Sequence, residues 1–139
     1  MAHAICAAEL ARRGLNITVL SAGLADLGGM LIADEARRIC QAHRTWLPKF
    51  ASTFIAKLDL TDVVRAFVMQ HNHVPSLLEQ TSLPPERISL LGEFDPDQRG
   101  AEIDDPIGQE SAVFEQCYER LRDCIVHYLD TTNELQRQI

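Results

Sequence analysis

Two rhythms of apolar and polar positions alternate along this chain. Good helix formers run from Ala2 to Arg13, with basic residues in the last turn and Gly14 placed to stop the helix. Leu15 to Leu20 then carries Ile17, Thr18 and Val19 and predicts a buried strand. "LADLGGMLI" reads as a loop by its glycines. Asp34 to His43 predicts an amphipathic helix, with Ala36, Ile39, Cys40 and His43 at helical spacing. Pro48 breaks any helix between Trp46 and Ser52. Thr53 to Asp59 predicts a short helix, and Val63 to Met69 a second strand. Val74 to Gln80 predicts another short helix, with Pro75 in the first turn, where a missing N–H does no harm.

Ile88 to Leu91 predicts a third strand, followed by the polar loop "GEFDPDQRGAEIDDPIGQ". Glu110 to about Leu129 predicts a long closing helix. Its apolar stripe holds Val113, Phe114, Cys117, Leu121, Cys124, Ile125 and Tyr128. The tail from 130 to 139 is expected to fray. Strands alternating with helices imply crossovers and a parallel sheet between helical layers. The fold class is therefore α/β, an open parallel sheet flanked by helices on both faces, in one domain over residues 1–139.

Composition changes this picture little. A chain of 139 residues with 46% hydrophobic content suits one core. A net charge of −7 argues against a nucleic-acid or anionic-membrane partner, which would favour a basic face. No apolar run approaches the roughly 20 residues of a membrane span. Glu9, Arg12 and Arg13 interrupt the alanine-rich start, so no export signal is visible. Cys6, Cys40, Cys117 and Cys124 show no tight pairing pattern, which makes free thiols in a cytoplasmic setting the expectation.

Ligands of open parallel sheets sit beyond the carboxyl ends of the strands. Three segments reach that edge: "SAG" after the first predicted strand, "QHNH" after the second, and the loop after the third. The last holds Glu102, Asp104, Asp105 and Pro106. A carboxylate just before a proline is held in extended geometry and can be aimed as a general acid or base, although a solvated acidic loop has the same composition. His3 with Cys6, Cys117 and Cys124 with His127, and His71 with His73 have short spacings. None supplies four ligands in a zinc pattern, so no metal site is assigned. Core cysteines and surface histidines explain them.

"MAHAICAAELARRGLNITVLSAG", "VVRAFVMQHNH", "ISLLGEFDPD" and "EIDDPIG" follow one another in an order and spacing that resemble the low-molecular-weight protein tyrosine phosphatases. The likeness runs from Met1 to about Leu129, and related arsenate reductases share much of it. The resemblance implies hydrolysis of a phosphorylated protein or small aryl phosphate, without a cofactor. In that family a cysteine in a Cys-x5-Arg-Ser/Thr loop attacks phosphorus, and an aspartate of an Asp-Pro pair protonates the leaving oxygen. Asp105 matches that acid, and Ser21 matches a serine that supports the phosphate loop.

The departures are at the start. Met1-Ala2-His3-Ala4 matches the end of the family's phosphate loop. The first strand, nucleophilic cysteine and arginine would lie ahead of Met1. That strand is central in the family's sheet, between the strands matching Leu15–Leu20 and Val63–Met69. Without it, each unsatisfied buried backbone group costs about 1–3 kcal/mol. Cys6 to Arg12 satisfies Cys-x5-Arg formally, but "AAELA" is strong helix former and Glu9 would repel phosphate. Phe50 stands near a family histidine position. Ile107 and Gly108 stand where an aromatic residue often follows the Asp-Pro pair. The chain as written is thus expected to be inactive unless extended. The alternatives are a non-catalytic relic serving as a binding module, and an arsenate reductase-like protein, for which Cys40 is the only mid-chain redox candidate.

Overall fold

A computed structural model describes residues 1–45 and 51–136. The expectations placed on Trp46, Pro48 and Phe50 lie outside the described residues. Helix α1 spans Ala2–Arg12. It ends as the glycine predicted: Gly14 adopts φ +70°. Its N–H donates to the Ala11 carbonyl at 3.0 Å, and that of Leu15 to the Leu10 carbonyl at 2.9 Å. These two bonds form a Schellman stop, which closes the last carbonyls of the helix. Helix α2 spans Asp34–Ala42 and buries Ala36, Ile39 and Cys40. Asp34 and Glu35 fill its first turn, favourable at the positive end of the helix dipole.

Strands β1 (Ala66–Val68) and β2 (Ile88–Leu90) pair in parallel, with Ala66 opposite Ile88 and Val68 opposite Leu90. Helix α3 (His73–Gln80) makes the crossover between them. Helix α4 (Ser111–Thr131) closes the fold and buries Phe114, Tyr118, Leu121, Cys124, Ile125, Tyr128 and Leu129. The alternation of β1 distributes its side chains between two cores. Phe67 and Met69 pack with α1, α2 and α4. Ala66 and Val68 pack with Leu77 of α3 and with Leu83 and Leu90. The sheet therefore carries helices on both faces. Phe67 and Phe94 each meet Tyr128 edge to face, at 4.8 and 5.1 Å between ring centres, which ties β1 to α4.

Three expectations change. Leu15–Leu20 is not a ladder strand. Its side chains alternate as a strand would, with Leu15, Ile17 and Val19 partly buried and Asn16, Thr18 and Leu20 exposed. Yet no backbone group from Asn16 to Ala22 bonds to another backbone group among the described residues. A strand requires a neighbour, and none of the described strands runs beside this one. Only its end is tied: the Gly23 N–H donates to the Thr53 carbonyl at 2.8 Å, and Ile55 N–H to that of Gly23 at 2.9 Å. The Thr53–Asp59 helix is reduced to one 3-10 turn, Ile55–Lys57.

The third change is in the tail. Among the described residues the chain is held past residue 130: α4 runs to Thr131 and Leu135 is 8% exposed. Arg65 donates to both carboxylate oxygens of Glu134, at 3.1 and 2.8 Å, and the Tyr128 hydroxyl donates to one of them at 2.5 Å. A bidentate guanidinium pair and a buried leucine fix this segment, as no feature of the tail alone would suggest.

Candidate active site

The loop after β2 is built onto its surroundings one residue at a time. Gly92 opens it. A Cβ there would stand 1.8 Å from the Ala101 carbonyl oxygen, so only glycine permits this approach. The Gly100 N–H then donates to the Gly92 carbonyl at 2.8 Å, closing the loop on itself. Asp95, 6% exposed, accepts the N–H groups of Asp97 and Gln98, each at 2.9 Å. Its other oxygen accepts Arg120 Nε of α4 at 2.7 Å. Burial pushes the Asp95 carboxyl up. Arg120 and the two backbone donors outweigh that and hold it below its ordinary value. The remaining nitrogens of Arg120 reach the carbonyls of Glu102 at 2.9 Å and Ala101 at 3.3 Å.

From there the loop is stitched to the carboxyl end of β1. Ile103 N–H donates to the Met69 carbonyl at 2.9 Å, and His71 N–H to Glu102 Oε1 at 2.7 Å. Gln70 Nε2 donates to Asp104 Oδ1 at 3.1 Å. Asp105 follows, exposed, with Oδ1 accepting Ile107 N–H at 3.0 Å across Pro106. This turn fixes one carboxylate oxygen. Oδ2 has no hydrogen-bond partner among the described residues.

Asp105 borders a shallow depression of about 240 Å³ that is also lined by Met1, Met30, Leu31, Ser52 and Ile107. The fold therefore brings the sequence-predicted acid to the amino-terminal end of α1. Ser21 lies at that end too. Its Oγ is 2.7 Å from His3 Nδ1, in the first turn of the helix. Ser21 does not line the depression with Asp105.

Cys6 and Arg12 both lie within α1, past its first turn, where backbone donors are committed to helix bonds. Burial first, and Glu9 second, push the Cys6 thiol up to about 11, the opposite of an activated nucleophile. Arg12 donates to Glu9 at 2.7 Å. The structure thus agrees with rejecting the formal Cys-x5-Arg match. Cys40 is fully buried in α2 and does not line the depression. Cys117 of α4 lies 4.0 Å from the Asp104 carbonyl, and burial raises its pKa. Among the described residues no group of three or more His, Cys, Asp or Glu is placed to hold a metal, and no helix is long and apolar enough to cross a membrane.

The model of the low molecular weight phosphotyrosine protein phosphatases matches residues 1–139. The chain belongs to that family. Among solved structures, a low molecular weight phosphotyrosine phosphatase from Vibrio cholerae aligns with a TM-score of 0.82 at 20% identity, covering 99% of this chain and 88% of that one. A low molecular weight protein tyrosine phosphatase from T. tengcongensis aligns at 0.83 and 20% identity, covering 94% and 88%. The YwlE arginine phosphatase, in a cysteine-to-serine mutant with a phosphorylated active-site serine, aligns at 0.79 and 22% identity, covering 96% and 89%. At these identities the neighbours establish the α/β fold. No curated protein matches the sequence significantly.

Within this low molecular weight phosphatase fold, sequence reasoning missed Arg120, the Gln70 bond to Asp104 and the contact of His3 with Ser21. Arg120 sits on the polar flank of a long helix and has no local signature. Asp95 did carry one, since Asp95-Pro96 repeats the Asp-Pro pair at Asp105. Burial separates the two roles: the first aspartate faces Arg120 and the second faces solvent.

Proposed function

We propose that this chain is the acid-bearing body of a phosphomonoester hydrolase acting on a phosphorylated protein or a small aryl phosphate. The observation that carries the reading is Asp105, which opens on a depression shared with Met1, directly ahead of α1. A helix amino terminus offers unpaired N–H groups and a positive dipole end, which suit phosphate. Among the described residues α1 has no side-chain cap and no acidic residue in its first turn, which leaves that end favourable to an anion.

In this reading a Cys-x5-Arg loop, preceded by a strand, joins the chain ahead of Met1. The thiolate forms a bond to phosphorus as the bond to the leaving oxygen breaks. Asp105 delivers its proton to that oxygen, and water then cleaves the sulfur–phosphorus bond. The phosphorylated active-site serine in the mutant YwlE protein supports a phosphoenzyme, and its name makes phosphoarginine a comparison substrate. Four free cysteines suit a reducing, cytoplasmic setting.

The test is to express the protein with its in-frame upstream residues and measure phosphate release from phenyl phosphate, with the 139-residue chain as control. Activity of the extended protein alone supports the reading. An upstream stop codon, or an extended protein inert toward aryl phosphates and phosphoarginine, overturns it. A second reading, a non-catalytic binding relic, is favoured by one feature: Ile107, 60% exposed, offers no ring against which an aryl group could stack. Arsenate reduction would need a redox cysteine pair at the site, and the burial of Cys40 argues against that.

A further inference from the structure

We infer that Arg120, through Asp95, is a positioning residue that sets the reach of Asp105. The inference rests on the reading of Asp105 as the acid. Its basis is the geometry of the loop from Gly92 to Ile107. Asp105 itself is held locally by one bond, its own turn to Ile107 N–H. One guanidinium gathers three of the contacts that orient the segment behind it. Arg120 faces the loop from α4 with Nε on Asp95 and two further nitrogens on the carbonyls of Ala101 and Glu102.

Those carbonyls lie three and four residues before Asp105, where the loop turns toward the site. Asp95 in turn closes the loop's first half through the N–H groups of Asp97 and Gln98. One planar fork therefore fixes both ends of the same loop against a rigid helix. The fork has three donors in use at fixed angles, which a lysine ammonium cannot reproduce. The second anchor, β1, takes the loop through Ile103, Glu102 and Asp104. Arg120 and β1 thus grip residues 101–104 from two sides, leaving Asp105 as the first residue free to face a ligand. The guanidinium does not touch the depression, so its role is indirect.

The test uses Arg120→Met, Arg120→Lys and Asp95→Asn in two arms. In the first, amide hydrogen exchange is followed on the 139-residue chain. Expected is exchange at least about tenfold faster at Asp97, Gln98, Ile103 and Ile107, with the amides of α1 and α4 unchanged. In the second, the extended, active protein is assayed with phenyl phosphate and with p-nitrophenyl phosphate, whose leaving group needs little protonation. A positioning role lowers kcat for phenyl phosphate by about tenfold or more and leaves p-nitrophenyl phosphate within about twofold. Lysine restores part of the loss, and Arg120→Met adds nothing to Asp105→Asn.

Equal losses on both substrates, or faster exchange throughout α4, would make Arg120 merely structural and overturn the inference. So would an unchanged phenyl phosphate rate in Arg120→Met when Asp105→Asn lowers it. If Asp105→Asn itself has no effect, the reading of the acid fails, and the inference that depends on it falls too. The exchange arm then still reports whether Arg120 orders the loop.

Discussion

Replacing Gly92 with alanine should be among the most damaging one-carbon changes in this chain. The added Cβ would sit 1.8 Å from the Ala101 carbonyl oxygen and 2.9 Å from its carbonyl carbon. Both are backbone atoms, so no side-chain rotation relieves the overlap. The loop strand at Ala101 must retreat by more than an ångström. That retreat strains the Gly100 N–H bond to the Gly92 carbonyl and the two Arg120 contacts to residues 101 and 102. Overpacking alone costs about 1–3 kcal/mol, and each lost hydrogen bond adds about 0.5–1.5 kcal/mol. The expected loss is about 3–5 kcal/mol, against a total stability of about 5–15 kcal/mol for a domain. It corresponds to a fall in Tm of roughly 10–20 °C for a chain of this size. Urea denaturation of Gly92→Ala beside wild type measures it. Gly100→Ala is the control: its φ of +84° strains an alanine, but no atom lies within 4 Å of the added carbon. A Gly92→Ala protein within about 1 kcal/mol of wild type would refute the close-approach argument.

Other consequences are as direct. Cys6, with its thiol pushed up to about 11, should resist iodoacetamide in the native protein at pH 7.5, and rapid labelling mapped to Cys6 by mass spectrometry would contradict its placement. Ending the chain after Thr132 removes Glu134 and the buried Leu135 and should cost about 2–4 kcal/mol in urea melts, whereas a fraying tail would cost nothing. Asp95 is held below its ordinary carboxyl value in the folded state. Its pairing with Arg120 therefore stabilises the protein fully above that value and is lost as pH falls through the folded one. Stability should decline below about pH 4, and Asp95→Asn should lower the plateau and flatten that decline; an acid limb unchanged by the substitution would show that Asp95 does not drive it.

The helices were legible because their signals are local. α1 is an alanine-rich run with a glycine stop, α2 has an acidic first turn and an apolar stripe, and α4 is one long stripe. Strand extents were less so. Val63–Met69 has strand composition throughout, yet β1 keeps only three residues, because its partner β2 offers only three. Leu15–Leu20 has the alternation but no paired neighbour among the described residues, and composition cannot supply one. The anchored tail and the Arg120 clamp share a cause. Glu134 finds Arg65 and Asp95 finds Arg120 across long stretches of sequence, and no window along the chain contains both partners. Asp105 was marked as a candidate by two features: its proline neighbour and its place in an ordered set of family-like segments.

The role proposed for Asp105 is to protonate the leaving oxygen of a phosphate ester. It is tested most directly by the dependence of kcat on leaving-group basicity, across a series of aryl phosphates, for the extended protein and its Asp105→Asn variant. A shallow dependence is expected in the wild type and a much steeper one in the variant, with phenyl phosphate losing about 100-fold or more and p-nitrophenyl phosphate far less. Parallel slopes, with the variant slowed equally on every ester or on none, would contradict it.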